Sequence, residues 1–134
     1  MGQQQLLLII LGVIIVGIAI AVGISMFSSG SIQANKDAII NDLNNLAANA
    51  YQHRIRPASM GGGAGVYDAS LGGTAWAVPA KLDTTENAYY SATSVGAATV
   101  VLHAVSAVTA GNTVDATCGS DGKLTGWTYA GEFQ

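Results

Sequence analysis

The side chains able to do acid–base, nucleophilic or metal chemistry are few and scattered. The histidines are His53 and His103, and the single cysteine is Cys118. A zinc centre needs three or four His, Cys or carboxylate ligands at short spacings. Neither histidine has such partners nearby, so no metal and no cofactor is expected. A nucleophile elbow would show Gly-x-Ser-x-Gly, and the sequence has none. A Ser/His/Asp group stays open, because such residues are gathered by the fold and not by sequence. Asp83 and Glu86 lie close together but read as a solvated turn. The glycine-rich stretch 60–65, MGGGAG, is read as a flexible loop. It is no phosphate loop, since no strand precedes it and no Gly-Lys-Ser/Thr follows. No catalytic residue is expected, and the chain is not expected to be an enzyme.

What dominates the chain is an apolar run. Residues 6–27, LLLIILGVIIVGIAIAVGISMF, contain no charge. At ~1.5 Å rise per residue the run makes a helix of roughly 33 Å, enough to cross a bilayer core of ~30 Å. It is apolar on every face, unlike the one-sided helix of a soluble domain. The candidate helix-packing residues are Leu6, Leu7, Leu8, Ile9, Ile10, Leu11, Gly12, Val13, Ile14, Ile15, Val16, Gly17, Ile18, Ala19, Ile20, Ala21, Val22, Gly23 and Ile24. Gly17/Ala21 and Ala19/Gly23 are small pairs four apart, a spacing that lets helices approach closely. Gln3, Gln4 and Gln5 precede the run as candidate polar contacts. A secretory signal would carry a basic n-region and a shorter apolar core, so the run is expected to stay in the mature protein. Either a basic leader precedes Met1, or Met1 is the initiator.

Composition bounds the remainder. The 134 residues are 50% hydrophobic and 10% charged, far below the usual ~25% charged. A net charge of −3 gives no basic footprint, so no nucleic-acid partner is expected. Cys118 cannot form an intrachain disulfide; it is expected to pack as a small hydrophobe in or beside a hairpin, with an intersubunit bridge as the other option.

Residues 28–31, SSGS, are either a cap for a second helix or a weak point in a continuous one. From there Ile32, Ile39, Leu43, Leu46 and Ala50 fall on one helical face, which predicts an amphipathic helix packed against a C-terminal head. His53, Arg54 and Arg56 complement the dipole at its end, and Pro57 stops it. Strands are predicted over 75–82 (an edge, with Pro79), 86–94, 99–109 (central), 112–117 and 123–129, with a hairpin at Asp121-Gly122. Tyr89, Tyr90, Trp127 and Tyr129 are expected in the head core or in subunit contacts. The expected organisation is α+β: residues 1–27 an apolar helix, 28–56 its amphipathic continuation, and 57–134 a β-rich head of about four antiparallel strands.

This layout resembles a type IV pilin, most specifically in residues 3–27 and the 32–51 stripe. The resemblance implies an extracellular, filament-forming homo-oligomer whose apolar helices bundle as the core. It also implies an inner-membrane pool before assembly and a pilus assembly machinery as partner. Adhesion, motility, uptake and biofilm formation are all compatible with that plan. Two departures stand out. If Met1 begins the mature chain, Gln5 stands at the place of the family glutamate near the mature N-terminus; of the family's basic leader ending in glycine only Met1-Gly2 could serve, and cleavage after Gly2 would start the chain at Gln3. Archaeal pilins often lack the glutamate, so a bacterial or archaeal host stays open. The alternative is a single-pass, membrane-anchored exported protein or a minor pseudopilin that forms no filament.

Overall fold

The structure is a computed structural model that describes residues 2–134. Met1, one of the two candidate starts of the mature chain, lies outside the described residues. The chain forms two compact units, the first ending at Ala34 and the second spanning Asn35–Gln134.

Helix α1 covers Gly2–Ile55. Its part in the first unit is the apolar run and its flanks. Ile and Val are only moderate helix formers in water, but no proline interrupts the run, and its Leu and Ala residues favour the helix. The helix runs through residues 28–31 without a break, so the serines there do not cap a second helix.

The second unit joins the last turns of α1 to a four-stranded sheet: β1 (Ala88–Val95), β2 (Val100–Ser106), β3 (Thr113–Cys118) and β4 (Leu124–Ala130). The strands pair antiparallel in the order β1-β2-β3-β4, a meander, so the fold is α+β. Ile39, Leu43, Leu46, Ala47 and Ala50 are the buried residues of α1. They face a sheet surface built from Ala88, Tyr90, Val100, Leu102, Ala104, Val114, Ala116 and Cys118, all buried. Ile32, placed in the stripe by its spacing, is only half-buried and belongs to the first unit; the buried stripe begins one turn into the second unit. β2 is central but alternates buried and half-buried residues, the pattern of a strand with one face on the core.

Three polar residues of α1 spaced seven apart join the helix to the head. Asn35 accepts from the Ser106 hydroxyl at 2.7 Å and donates to the Asn87 carbonyl at 3.2 Å. Asp42 accepts from the Tyr90 hydroxyl at 2.7 Å. Asn49 accepts from the Trp76 indole at 3.1 Å. A residue seven on lies two turns further along the same face, so the three border the apolar stripe. Beside them, Lys36 donates to the Phe133 carbonyl at 3.0 Å and lies 3.9 Å over the Tyr129 ring.

Residues 57–87 depart from the sequence expectation in two ways. The segment 75–82 is not a strand. The Pro79 carbonyl accepts the amides of Leu82 and Asp83 at 2.8 and 3.0 Å, closing a turn there, and Trp76 is buried as an anchor instead of a ladder residue. The glycine-rich loop is hydrogen-bonded structure, not a loose tether. The amides of Gly63 and Gly65 reach the His53 and Arg54 carbonyls at 2.9 and 2.7 Å, and that of Ala64 reaches Arg56 at 3.0 Å. Those carbonyls are the ones a helix end leaves without partners. The fit excludes side chains: a Cβ on Gly63 would fall 1.8 Å from the Val66 carbonyl oxygen. At the β3–β4 turn Gly122 has φ +79° and lies so close to the Tyr51 ring that a Cβ would sit 2.9 Å from it.

Gly63→Ala is therefore expected to lower the unfolding free energy of the head by about 2–3 kcal/mol, the scale of overpacking. Gly111→Ala, whose Cβ would meet nothing within 4 Å, should change it little. Thermal unfolding of the full chain in detergent micelles compares the two.

Candidate functional site

The first candidate is the surface of α1 in the first unit. Every large apolar side chain from Leu6 to Phe27 is at least 53% exposed. Contiguous exposed apolar surface on this scale marks contact with lipid or with other chains. The helix is long and apolar enough to cross a membrane, the property shared by membrane anchors and signal sequences. A Cβ at Gly12, Gly17 or Gly23 would meet open space. These glycines are not required by packing within the chain, and the shallow spots they make are open to a partner helix. Gln3, Gln4 and Gln5 form exposed polar turns at its start.

The second candidate is the surrounding of Asp42. One carboxylate oxygen, Oδ2, accepts from Tyr90 at 2.7 Å, from the Asn87 amide at 3.1 Å and from Thr85 at 3.3 Å. A cavity of about 40 Å³ lies beside it, lined by Asp42, Asn45, Leu46, Leu82, Thr85 and Tyr90. That volume suits a water molecule and is far below the ~300 Å³ of small-molecule sites. Burial, reinforced by the bond to the Asp42 carboxylate, raises the Tyr90 phenol well above its ordinary value. The arrangement holds a proton on Tyr90; it does not release one.

A third grouping surrounds Cys118, which is free and buried. The Tyr67 hydroxyl donates to the Gly119 carbonyl at 2.6 Å and lies 3.4 Å from the Cys118 sulfur. The Arg54 guanidinium lies 5.6 Å from the Tyr67 ring centroid and donates to the Ser120 carbonyl. Burial raises both the Tyr67 phenol and the Cys118 thiol. A buried, protonated thiol is a poor nucleophile, so this is a packing arrangement beside the hairpin.

The fourth lies on the outer face of the sheet, where His103 Nδ1 is bonded to Asp115 Oδ1. Among those residues no group of three or more His, Cys, Asp or Glu could hold a metal ion. His53 bonds the Thr74 carbonyl at 2.6 Å and helps pin the loop to the helix end. Of the expected aromatics, Tyr90 is buried and Tyr89 is exposed, while Trp127 and Tyr129 stack at 6.3 Å on the half-buried β4 edge.

No protein-family model, no curated protein and no solved structure matches this chain.

The phenol shifts have a consequence for stability. A group whose folded pKa is raised contributes stability that is complete below its unfolded value and is lost as pH climbs past it. Tyr90→Phe should cost about 1.5–3 kcal/mol at neutral pH, as for a hydrogen bond to a charged group. The gap between wild type and variant should then close as pH rises above the ordinary phenol value of 10.0. Chemical unfolding of both proteins at neutral and alkaline pH measures it.

Proposed function

We propose that this chain is the structural subunit of an extracellular type IV pilus-like filament, held in the membrane before assembly and polymerising through residues 6–27. The observation that carries this reading is a helix apolar all round, uncharged from Gly2 to Asn35, that continues into the helix of an α+β head. Such a surface needs an apolar surrounding at every stage. Lipid supplies it first, and identical helices supply it afterwards. At about 25 cal/mol per Å², withdrawing this surface from water is the dominant energy of either state. Helix association within lipid then depends on close packing at small residues, which Gly12, Gly17, Gly23, Ala19 and Ala21 offer.

The uncharged start is a departure from the pilin pattern that the filament reading has to accommodate. Gln5 stands where the pilin glutamate would be expected to meet a neighbour's amine. An amide can accept a hydrogen bond from an ammonium group but cannot neutralise it. Three consecutive glutamines spread acceptors around the helix start, so registration of neighbours would rest on hydrogen bonds.

One observation favours a second reading. The spanning helix lies near the N-terminus and the head behind it has its own core, which is also the plan of a single-pass anchored protein or a minor pseudopilin.

Gly17→Arg separates the two. One arginine at the centre of a spanning helix costs ~2.5–3.5 kcal/mol for insertion, which 21 apolar or small neighbours tolerate. A guanidinium repeated at every subunit of a dry helix bundle has no such relief. The variant is expected in the membrane fraction at near-normal amount, with no filaments in sheared material viewed by electron microscopy. Normal filaments from Gly17→Arg, or a wild type found only in membranes, would sink the filament reading.

A further inference from the structure

The outer face of the sheet carries one polar row that the assembly role leaves unused. Ser91 on β1 pairs in register with His103 on β2, and His103 pairs in register with Asp115 on β3. In-register antiparallel partners hold their Cβ atoms ~4.5–5.5 Å apart on the same face. A serine, a histidine and an aspartate therefore stand side by side on three adjacent strands. Ser91 is exposed, and the His103 and Asp115 side chains are 28% and 36% exposed.

The chemistry of the row has a direction. An ionised carboxylate only accepts, so the bond from His103 Nδ1 to Asp115 places the ring proton on Nδ1. The lone pair of the neutral imidazole is then on Nε2. This is the tautomer in which a histidine serves as a base toward a hydroxyl. A backbone donor is available beside the serine as well. The Tyr90 amide leaves β1 on the side away from β2, meeting the Asp83 carbonyl at 2.7 Å. Amide directions alternate along an antiparallel strand, so the Ala92 amide leaves on that same side. The amide following a nucleophile is the usual donor to the oxyanion.

We propose that Ser91 is an acyl-accepting nucleophile, with His103 as its general base and Asp115 as the positioning residue that holds the histidine in the required tautomer. The substrate class is a small activated ester. Ser91 Oγ attacks the carbonyl carbon and an Oγ–C bond forms. The bond from that carbon to the leaving oxygen breaks. The Oγ proton passes to His103 Nε2 and on to the leaving group, giving an acyl-serine and a free alcohol. The face is a flat sheet surface, so the acyl donor is not gripped and the rate rises linearly with ester concentration instead of saturating.

The test uses the full chain in detergent micelles with p-nitrophenyl acetate, following p-nitrophenol release and mapping acetylated peptides by mass spectrometry. Acetyl is expected on Ser91 and not on Ser94, which is exposed on the same strand but pairs with Val101. Ser91→Ala should remove the label. His103→Gln should slow labelling by about 10²-fold, the lower range for general-base catalysis. Asp115→Asn should also slow it, and Asp115→Glu should restore part of the rate, which a loss of packing alone would not do. Equal acetylation of Ser91 and Ser94 in the wild type, no label on Ser91, or labelling of Ser91 that survives His103→Gln would overturn the proposal. The first two comparisons need no variant and so do not depend on how well a variant folds.

Discussion

The head depends on one carboxylate in a helix. Asp42 gathers a phenol, an amide and a hydroxyl on a single oxygen, and those donors come from β1 and from the segment leading into it. A partly buried charge is costly unless donors surround it. The carboxylate therefore selects the one helix position at which all three reach it. A slide of α1 by one residue turns the helix ~100° and carries Asp42 away from them. Asn35 and Asn49, seven residues to either side, add the same requirement at two further points. The apolar stripe of Ile39, Leu43, Leu46 and Ala50 supplies most of the cohesion, but burial is non-directional and would accept several positions. The polar residues remove that freedom.

The same helix obeys opposite rules in its two parts. Before Lys36 there is no charge and every large apolar side chain of the run is exposed. After it, Ile39, Leu43, Leu46, Ala47 and Ala50 are buried on one side, and Asp42 and Asn49 bond to the head. Nothing in the backbone marks the change, since the helix passes residues 28–31 unbroken. The change lies in side-chain chemistry alone.

The elements legible in the sequence were those with local cause. The apolar run declares itself by lacking periodicity, the stripe by spacings of three and four, and the β3–β4 hairpin by Asp121-Gly122, whose glycine takes the positive φ the turn needs. Residues 75–82 misled because Trp76 and Val78 have strand-forming side chains, yet Trp76 is there to reach Asn49 across 27 residues of sequence. Tyr67, fully buried against the hairpin, has no local signal for the same reason: its partners Cys118 and Gly119 are more than 50 residues away. The alignment of Ser91, His103 and Asp115 was out of reach too. It depends on two turn lengths and on a register that keeps Ala92 opposite Leu102 before the irregularity in β1. The partners of Asn35, Asp42 and Asn49 had no local signal in the sequence either.

The contact between Lys36 and Phe133 joins residues 97 apart in sequence, and Phe133 is itself buried. The unit that starts at Asn35 is thus closed by its far end. A ribosome delivers the apolar helix first, and the stripe that follows it waits with its apolar face uncovered until the sheet residues from Ala88 to Cys118 have been made. Contacts at such separation delay folding because the intervening chain must be ordered before they form. During that interval the stripe of α1 is a target for any apolar surface nearby.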